Sequence, residues 1–220
     1  MARIAEDLFL LLLDDGSTQQ PRLDRSRLGR MMAAALLLDL AYDRRVRPAL
    51  AQEPMPAGHL VALAGEVPLN PAVRPALALL QQGPITPAAA IGRLRKRAQD
   101  DVLDQLLRTG TIHQVQLSAH RLRRNSYAWP VRDRGRAEHA RAGVLAALFD
   151  QRSPAPVSAA IIALLHAVNG LGEGLGLNAA GTQRAGARAH ELADGRWADP
   201  ANTAEVNLAV TAAAVLPALG

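Results

Sequence analysis

Most hydrophobic residues in the chain recur every three or four positions, which is the spacing of helices that bury one face. Residues 28–42 are apolar on nearly every side and predict a fully buried helix, which Pro48 prevents from continuing. Other helices are predicted where a capping residue opens an apolar repeat and Gly or Pro follows it. They are expected over residues 70–82, 86–107 with a break near Arg95, 132–150, 182–193 and 199–216, with another that starts at Ser153.

The period changes from helical to alternating after Gly110. Apolar and polar residues alternate in two short stretches, and the connection between them, residues 118–125, holds three arginines. This pattern predicts a β-hairpin over about residues 111–131 with a long basic connection. The alternating positions are His113, Val115 and Leu117 in the first strand and Tyr127, Trp129 and Val131 in the second.

Two stretches are rich in turn-forming residues. Residues 48–71 contain many Pro and Gly and predict a long loop, with a short apolar run that suits a small strand pair. The Gly-rich residues 169–181 are predicted to form a turn rather than a phosphate loop, because no Gly-Lys-Ser/Thr follows. No fixed repeat and no clear linker appear, so the fold class expected is all-α with one β-hairpin, in a single domain covering residues 1–220.

Composition supports a helical core and narrows the chemistry. Aromatic residues make up only 3% of the 220 residues, so the core must consist of Leu, Ala and Val. There is no cysteine, which excludes disulfides and thiolate metal sites. No apolar run reaches the roughly 20 residues of a transmembrane helix. We therefore expect a cytoplasmic protein that lies on a membrane if it meets one.

The positive charge is concentrated in the middle of the chain. Residues 93–136 hold eleven basic and four acidic residues, whereas the whole chain has a net charge of only +5. Such a segment attracts phosphate, either on nucleic acid or on an anionic lipid surface. The densest part is the cluster of residues 93–97, whose alternative interpretation is a solvated helix end paired with Asp100 and Asp101.

Several motifs, taken in order, resemble a known family. They are residues 6–14 (EDLFLLLLD), 36–41 (LLLDLA) and 103–112 (LDQLLRTGTI), followed by a helix over 202–214. Their order resembles the Golgi phosphoprotein 3 family, in the short form found in actinobacteria, over essentially the whole chain. The resemblance implies a mostly helical domain that binds phosphatidylinositol 4-phosphate at a basic pocket. It also implies a hydrophobic hairpin for membrane insertion or self-association and, in eukaryotes, an adaptor that retains glycosyltransferases in the Golgi.

The resemblance also indicates where the lipid headgroup would bind. Counterparts of the family's pocket residues fall near Asp24, Ala33, Lys96 and Gln99. Only Lys96 is basic among these four, so neighbouring arginines are expected to substitute for the others. The predicted headgroup-binding residues are Arg30, Arg93, Lys96 and Arg97.

The hairpin supplies a second predicted contact with the membrane. Its apolar residues would enter the bilayer surface and its arginines would contact anionic lipid, or the same residues would join two copies of the chain. The alternative is that Tyr127 and Trp129 belong to the core and the arginines keep an exposed strand edge soluble. The predicted hairpin residues are Leu117, Arg121, Leu122, Arg123, Arg124, Tyr127 and Trp129.

These features favour a peripheral membrane adaptor that binds anionic lipid and has a protein partner at the membrane. The main alternative is a nucleic-acid-binding protein, because a helix over 99–109 followed by a basic hairpin outlines a winged helix. The acidic residues Asp100, Asp101 and Asp104 on that helix would repel DNA. No nucleophile elbow and no His–carboxylate spacing for a metal occurs, so we expect no enzymatic activity, no metal and no cofactor.

Overall fold

The computed structural model describes residues 4–13, 21–66, 70–118 and 126–220. Within these ranges helices predominate and the only sheets are two antiparallel strand pairs, which confirms the predicted mostly helical fold. The helices are α1 (Ile4–Leu12), α2 (Arg25–Tyr42), α3 (Arg74–Leu80), α4 (Pro87–Leu94), α5 (Ala98–Arg108), α6 (Arg134–Phe149), α7 (Pro156–Ala167), α8 (Leu171–Leu175), α9 (Ala179–Ala193) and α10 (Thr203–Val215). The strands are β1 (Val46–Pro48), β2 (Leu60–Ala62), β3 (Val115–Ser118) and β4 (Ser126–Ala128), and 3₁₀ segments occupy Pro71–Val73 and Leu216–Leu219. The assignment of all 220 residues to one domain stays a prediction.

The longest helix, α2, lies at the centre of the core, as its apolar sequence predicts. Every residue from Met31 to Ala41 is buried, including Asp39. α2 packs against α1, α5, α7 and α10. Each large side chain buried here stabilises the folded state by about 1.5–3 kcal/mol. The burial of α2 and its contacts with these four helices make it the centre of the core.

Polar contacts fix the start of α1, although most of that helix is apolar. The Asp39 carboxylate accepts hydrogen bonds from the backbone N–H groups of Ile4 (2.7 Å) and Ala5 (3.1 Å). It thereby serves the first turn of α1 as an N-cap residue would, from a distant part of the chain. Arg136, at the start of α6, donates a hydrogen bond of 2.9 Å to the buried Glu6 carboxylate. These contacts join α1 to α2 and α6.

The chain reverses direction sharply where α2 ends. Arg44 N–H donates to the Ala41 carbonyl (2.9 Å) and Arg45 N–H donates to the Leu40 carbonyl (2.7 Å). This pair of bonds is the Schellman motif, which places Arg44 in the left-handed region with φ of +55°. β1 follows at once and pairs with β2. The apolar run within residues 48–71 therefore forms one strand of a small pair, as predicted, but the other strand begins earlier, at Val46.

The helical pattern was predicted correctly at one place and wrongly at another. α4 ends at Leu94 and α5 begins at Ala98, which confirms the break expected near Arg95. The Gly-rich residues 169–181, predicted as a turn, instead contain the short helix α8. Burial of Leu171 and Leu175, one helical turn apart, offsets the low helix propensity of the glycines between them.

The strands β3 and β4 pair within the region predicted to form the hairpin. Val115 lies opposite Ala128, and the register shifts between Gln116 and Ser118. A bridge between Ile112 and Val131 extends the pairing towards the core. Residues 119–125, the basic connection, lie outside the described residues.

None of the helices that the structure describes combines the length and the apolar character needed to cross a membrane. A spanning helix needs about 20 predominantly apolar residues. The longest described helix, α2, has 18 residues and carries Arg25, Arg27, Arg30 and Asp39.

Candidate functional site

A pocket of about 470 Å³ lies between the first turns of α2 and the junction of α4 with α5. It combines two segments that are about 70 residues apart in the sequence, and both carry exposed basic side chains. The lining residues are Arg25, Ser26 and Gly29 from α2 and Arg95, Lys96, Gln99 and Asp100 from the junction.

The start of α2 is held by a local capping arrangement. Asp24 is the N-cap, and its carboxylate accepts hydrogen bonds from the backbone N–H groups of Ser26 (2.9 Å) and Arg27 (3.0 Å). The Arg27 guanidinium pairs with Asp24 and with Glu173 of α8. The hydrogen bond from Arg27 lowers the pKa of Asp24, so the cap is ionised at neutral pH. Arg25 is left exposed at the pocket.

The junction of α4 and α5 exposes its basic residues because apolar neighbours anchor both ends. Leu94 and Ala98 are buried, and the turn between them is closed by the hydrogen bond from Arg97 N–H to the Leu94 carbonyl (3.0 Å). The intervening side chains of Arg95 and Lys96 are exposed and line the pocket.

A glycine lets the two basic segments come together. A Cβ atom on Gly29 would lie 2.6 Å from the backbone oxygen of Arg95, a distance that no real Cβ contact shows. Any side chain at this position would push α2 away from the junction. Gly29 therefore sets how close Arg25 is to Arg95 and Lys96.

The pocket has the charge and the donors to bind an anion. Three basic side chains and one acid, Asp100, line it. Within the described part of the chain, Arg25, Arg95 and Lys96 form no ion pair, so their charges are available to a ligand. Guanidinium groups bind phosphate oxygens in a bidentate manner, and an ammonium group adds a point charge. The site suits a phosphorylated group presented from outside.

The structure brings only one of the four predicted headgroup residues into this pocket. Lys96 lines it, whereas Arg93 and Arg97 are exposed but do not. Arg97 lies 3.9 Å from Asp101, in the salt-bridge arrangement that was the alternative interpretation. Arg30 also lies outside the lining; it is half-buried, and its Nε atom has no hydrogen-bond partner among the described residues.

Two basic residues of the pocket were not among the predicted headgroup residues. Arg25 was missed because the helix was predicted to begin at Leu28, although Asp24 is a recognisable N-cap signal. Arg95 belongs to the basic cluster of residues 93–97, but the position of the helix break decides which of those side chains face the pocket.

The positions that the family resemblance suggested are partly in the pocket. Lys96 and Gln99 both line it, and Asp24 caps the adjoining helix. Ala33 is fully buried in the core. Ala33 carries no charge, and the basic residue that α2 contributes to the pocket is Arg25, two turns earlier.

The predicted hairpin residues divide into described and undescribed ones. Leu117 belongs to β3 and Tyr127 to β4. Trp129 is half-buried and packs against the core, which was its alternative interpretation. Arg121, Leu122, Arg123 and Arg124 lie outside the described residues. The described residues contain no group of three or more His, Asp or Glu side chains arranged for a metal ion.

Comparison with known proteins gives one result that covers almost the whole chain. The family model of Golgi phosphoprotein 3 (GPP34) matches residues 4–209. A comparison with curated proteins found no match. The matched range contains both segments of the basic pocket and the β3–β4 pair.

Proposed function

Because this chain belongs to the Golgi phosphoprotein 3 family, we propose that it is a peripheral membrane adaptor that binds anionic phospholipid, with phosphatidylinositol 4-phosphate as its preferred headgroup. The observation that carries the proposal is the basic pocket at the start of α2. There Arg25, Arg95 and Lys96 converge without ionic partners among the described residues.

A phosphomonoester suits this pocket better than a phosphodiester does. A phosphomonoester carries about −1.5 to −2 charges at neutral pH and three strong acceptor oxygens. Three basic side chains against one acid match that charge, and each donor finds an oxygen. The volume of about 470 Å³ lies within the usual range of small-ligand sites, about 300–1,000 Å³.

The pocket alone would give weak attachment to a membrane. Each basic residue near an anionic surface contributes about 1 kcal/mol, so three contribute about 3 kcal/mol. The hairpin is the proposed second contact, in which Leu117 and Leu122 enter the bilayer surface while Arg121, Arg123 and Arg124 contact lipid phosphates. Two moderate contacts together produce reversible binding, as a recruited adaptor requires.

The proposed role is non-enzymatic. No catalytic arrangement was predicted from the sequence, and the polar groups described at the site are three cations, one acid, the Gln99 amide and the Ser26 hydroxyl. The adaptor would act on the cytoplasmic side of a membrane, hold a protein partner there, and associate with further copies through its hairpin.

Liposome co-sedimentation tests the proposal. The chain is mixed with vesicles of neutral lipid alone, with phosphatidylserine, or with phosphatidylinositol 4-phosphate at matched total charge, and duplex DNA is titrated in the same buffer. We expect the largest pelleted fraction with the phosphoinositide. Equal pelleting with both anionic lipids would contradict headgroup selectivity. No pelleting together with tight, steeply salt-dependent DNA binding would contradict the membrane role and favour the winged-helix alternative.

A further inference from the structure

A second pocket lies at the opposite end of α2, beside the β1–β2 pair. It measures about 550 Å³ and lies between β2 with the segment that follows it and the end of α3. The 18 residues of α2 separate it from the basic pocket by about 27 Å of helix. The side chains that define its chemistry are Arg45, Met55, Val61, Leu63, Leu80 and Gln81.

The Arg45 side chain is buried at this pocket with most of its donors unused. Only 8% of Arg45 is exposed. Its Nε donates to the Leu63 carbonyl at 3.2 Å, and its Nη1 is buried without a hydrogen-bond partner among the described residues. A buried guanidinium loses its hydration and is costly unless an anion or several acceptors replace the water.

The neighbouring Arg47 has a carboxylate partner, which Arg45 lacks among the described residues. Arg47 donates to the Glu53 carboxylate through both terminal nitrogens, one of them at 2.9 Å. No carboxylate of a described residue pairs with Arg45 in this way. Asp43 interacts with Arg45 only through space. Burial raises the pKa of Asp43, and the positive charge of Arg45 counteracts part of that rise without an ion pair.

The backbone of Gly65 lies close to the Arg45 guanidinium. Gly65 has φ of +152°, and a Cβ atom there would lie 3.2 Å from the Arg45 Nε and 3.3 Å from its Cζ. A side chain on residue 65 would therefore press on the guanidinium. Glycine keeps this side of Arg45 open at the pocket wall.

We propose that this pocket binds a small organic monocarboxylate whose apolar body lies against Val61, Leu63 and Leu80 while its carboxylate accepts hydrogen bonds from the Arg45 guanidinium. Among the described lining residues Arg45 is the only one with a charged side chain, so one negative charge balances it. A phosphate dianion would leave a surplus charge beside apolar walls, which is unfavourable. A carboxylate supplies an acceptor for the guanidinium, whose Nη2 makes no hydrogen bond to a described residue and is not buried as Nη1 is.

The site is separate from the membrane function proposed above. Its lining shares no residue with the basic pocket, and among the described residues it presents one charged side chain where the basic pocket presents four. An anionic metabolite with a short hydrocarbon chain fits the charge and the lining. Binding there would stabilise the end of α2 and the β1–β2 pair, because it would satisfy a buried charge.

NMR titration of the full chain with sodium hexanoate tests the inference, and hexylamine and 1-hexanol serve as probes of matched size. We expect saturable shifts of the Gly65 and Gly83 amide signals with hexanoate only. Arg45→Met, and Ala64→Trp at the pocket wall, should each weaken hexanoate binding at least tenfold. Lys96→Gln in the basic pocket should leave it unchanged.

Several results would overturn the inference. Unchanged hexanoate affinity in Ala64→Trp would do so even if Arg45→Met failed to fold, because that substitution enlarges a lining residue and leaves the arginine in place. Equal binding of hexylamine would show that charge plays no part. Inorganic phosphate that displaced hexanoate from the same amide signals at lower concentration would contradict the assignment to a carboxylate.

Discussion

Asp39 shows how a single buried carboxylate determines local structure. It lies within the LLLDLA segment, fully buried, and it caps α1 through two backbone N–H groups. Burial raises its pKa well above the ordinary value of 3.8, although those two hydrogen bonds act in the opposite direction. The sequence places this acid on an otherwise apolar helix but does not identify the N–H groups that it binds, since they are more than thirty residues away.

We predict that Asp39→Asn reduces the pH dependence of stability. A raised folded-state pKa means that the native protein binds this proton more tightly than the unfolded chain does. The resulting stabilisation is present below about pH 3.8 and is lost as the pH rises through the folded-state pKa. Urea unfolding from pH 4 to pH 8 should therefore show a steeper decline in the free energy of unfolding for the wild type than for the variant.

Asparagine presents a single acceptor oxygen, so the variant should also lose about 1 kcal/mol at the acidic end of the range. Parallel pH profiles for the two proteins would show that Asp39 titrates in the native state as it does in the unfolded chain.

We predict that Arg44→Gly stabilises the protein. Arg44 is exposed and occupies the left-handed region at the end of α2, where a side chain is unfavourable and glycine is usual. The free energy of unfolding should rise by about 0.5–1 kcal/mol. Glycine removes the steric cost of a side chain at this φ, but its greater freedom in the unfolded chain offsets part of that effect. Arg44→Ala is the matched control for thermal unfolding, since it removes the charge but keeps the Cβ atom. Equal stability of the two variants would contradict the conformational explanation.

Helices whose ends and faces are set by local sequence could be predicted, whereas those that depend on tertiary packing could not. α2 and the break between α4 and α5 followed from periodicity and capping, which act locally. α8 could not be predicted, because the burial of Leu171 and Leu175 depends on packing against other helices. The same limit applies to the basic pocket: Lys96 was identified, but its partner Arg25 comes from a helix whose approach depends on the tertiary contact at Gly29.

The packing of α2 against the α4–α5 junction gives a prediction for two glycines. Gly29→Ala should destabilise the protein by about 1–3 kcal/mol, because the new Cβ atom collides with the Arg95 backbone oxygen. Gly92→Ala is the control: a Cβ on this α4 residue meets no heavy atom within 4 Å, so helix propensity should stabilise it by about 0.5–1 kcal/mol. Chemical unfolding measures both changes. Opposite signs are expected, and a neutral Gly29→Ala would contradict the close approach.

At the scale of the whole molecule, the basic middle segment of the sequence and the basic pocket are different sets of residues. Arg136, within the basic middle segment, is bound to Glu6 and Asp7 and stabilises the fold. Arg25 lies outside that segment and yet lines the basic pocket. Counting charges along the sequence therefore does not identify which basic residues line the pocket, because tertiary structure decides which charges are paired and which are exposed.

If the basic pocket binds the lipid headgroup, the location of the positive charge, rather than its amount, determines lipid binding. Two double variants test it directly: Arg95→Gln with Lys96→Gln removes two charges from the pocket, and Arg93→Gln with Arg97→Gln removes two exposed charges beside it. The measurement is co-sedimentation of both variants and the wild type with vesicles that contain phosphatidylinositol 4-phosphate. We predict that the pocket variant loses at least tenfold in affinity and that the control loses less than threefold. Equal losses in the two variants would contradict a pocket and leave only a diffuse attraction between a basic protein and an anionic surface.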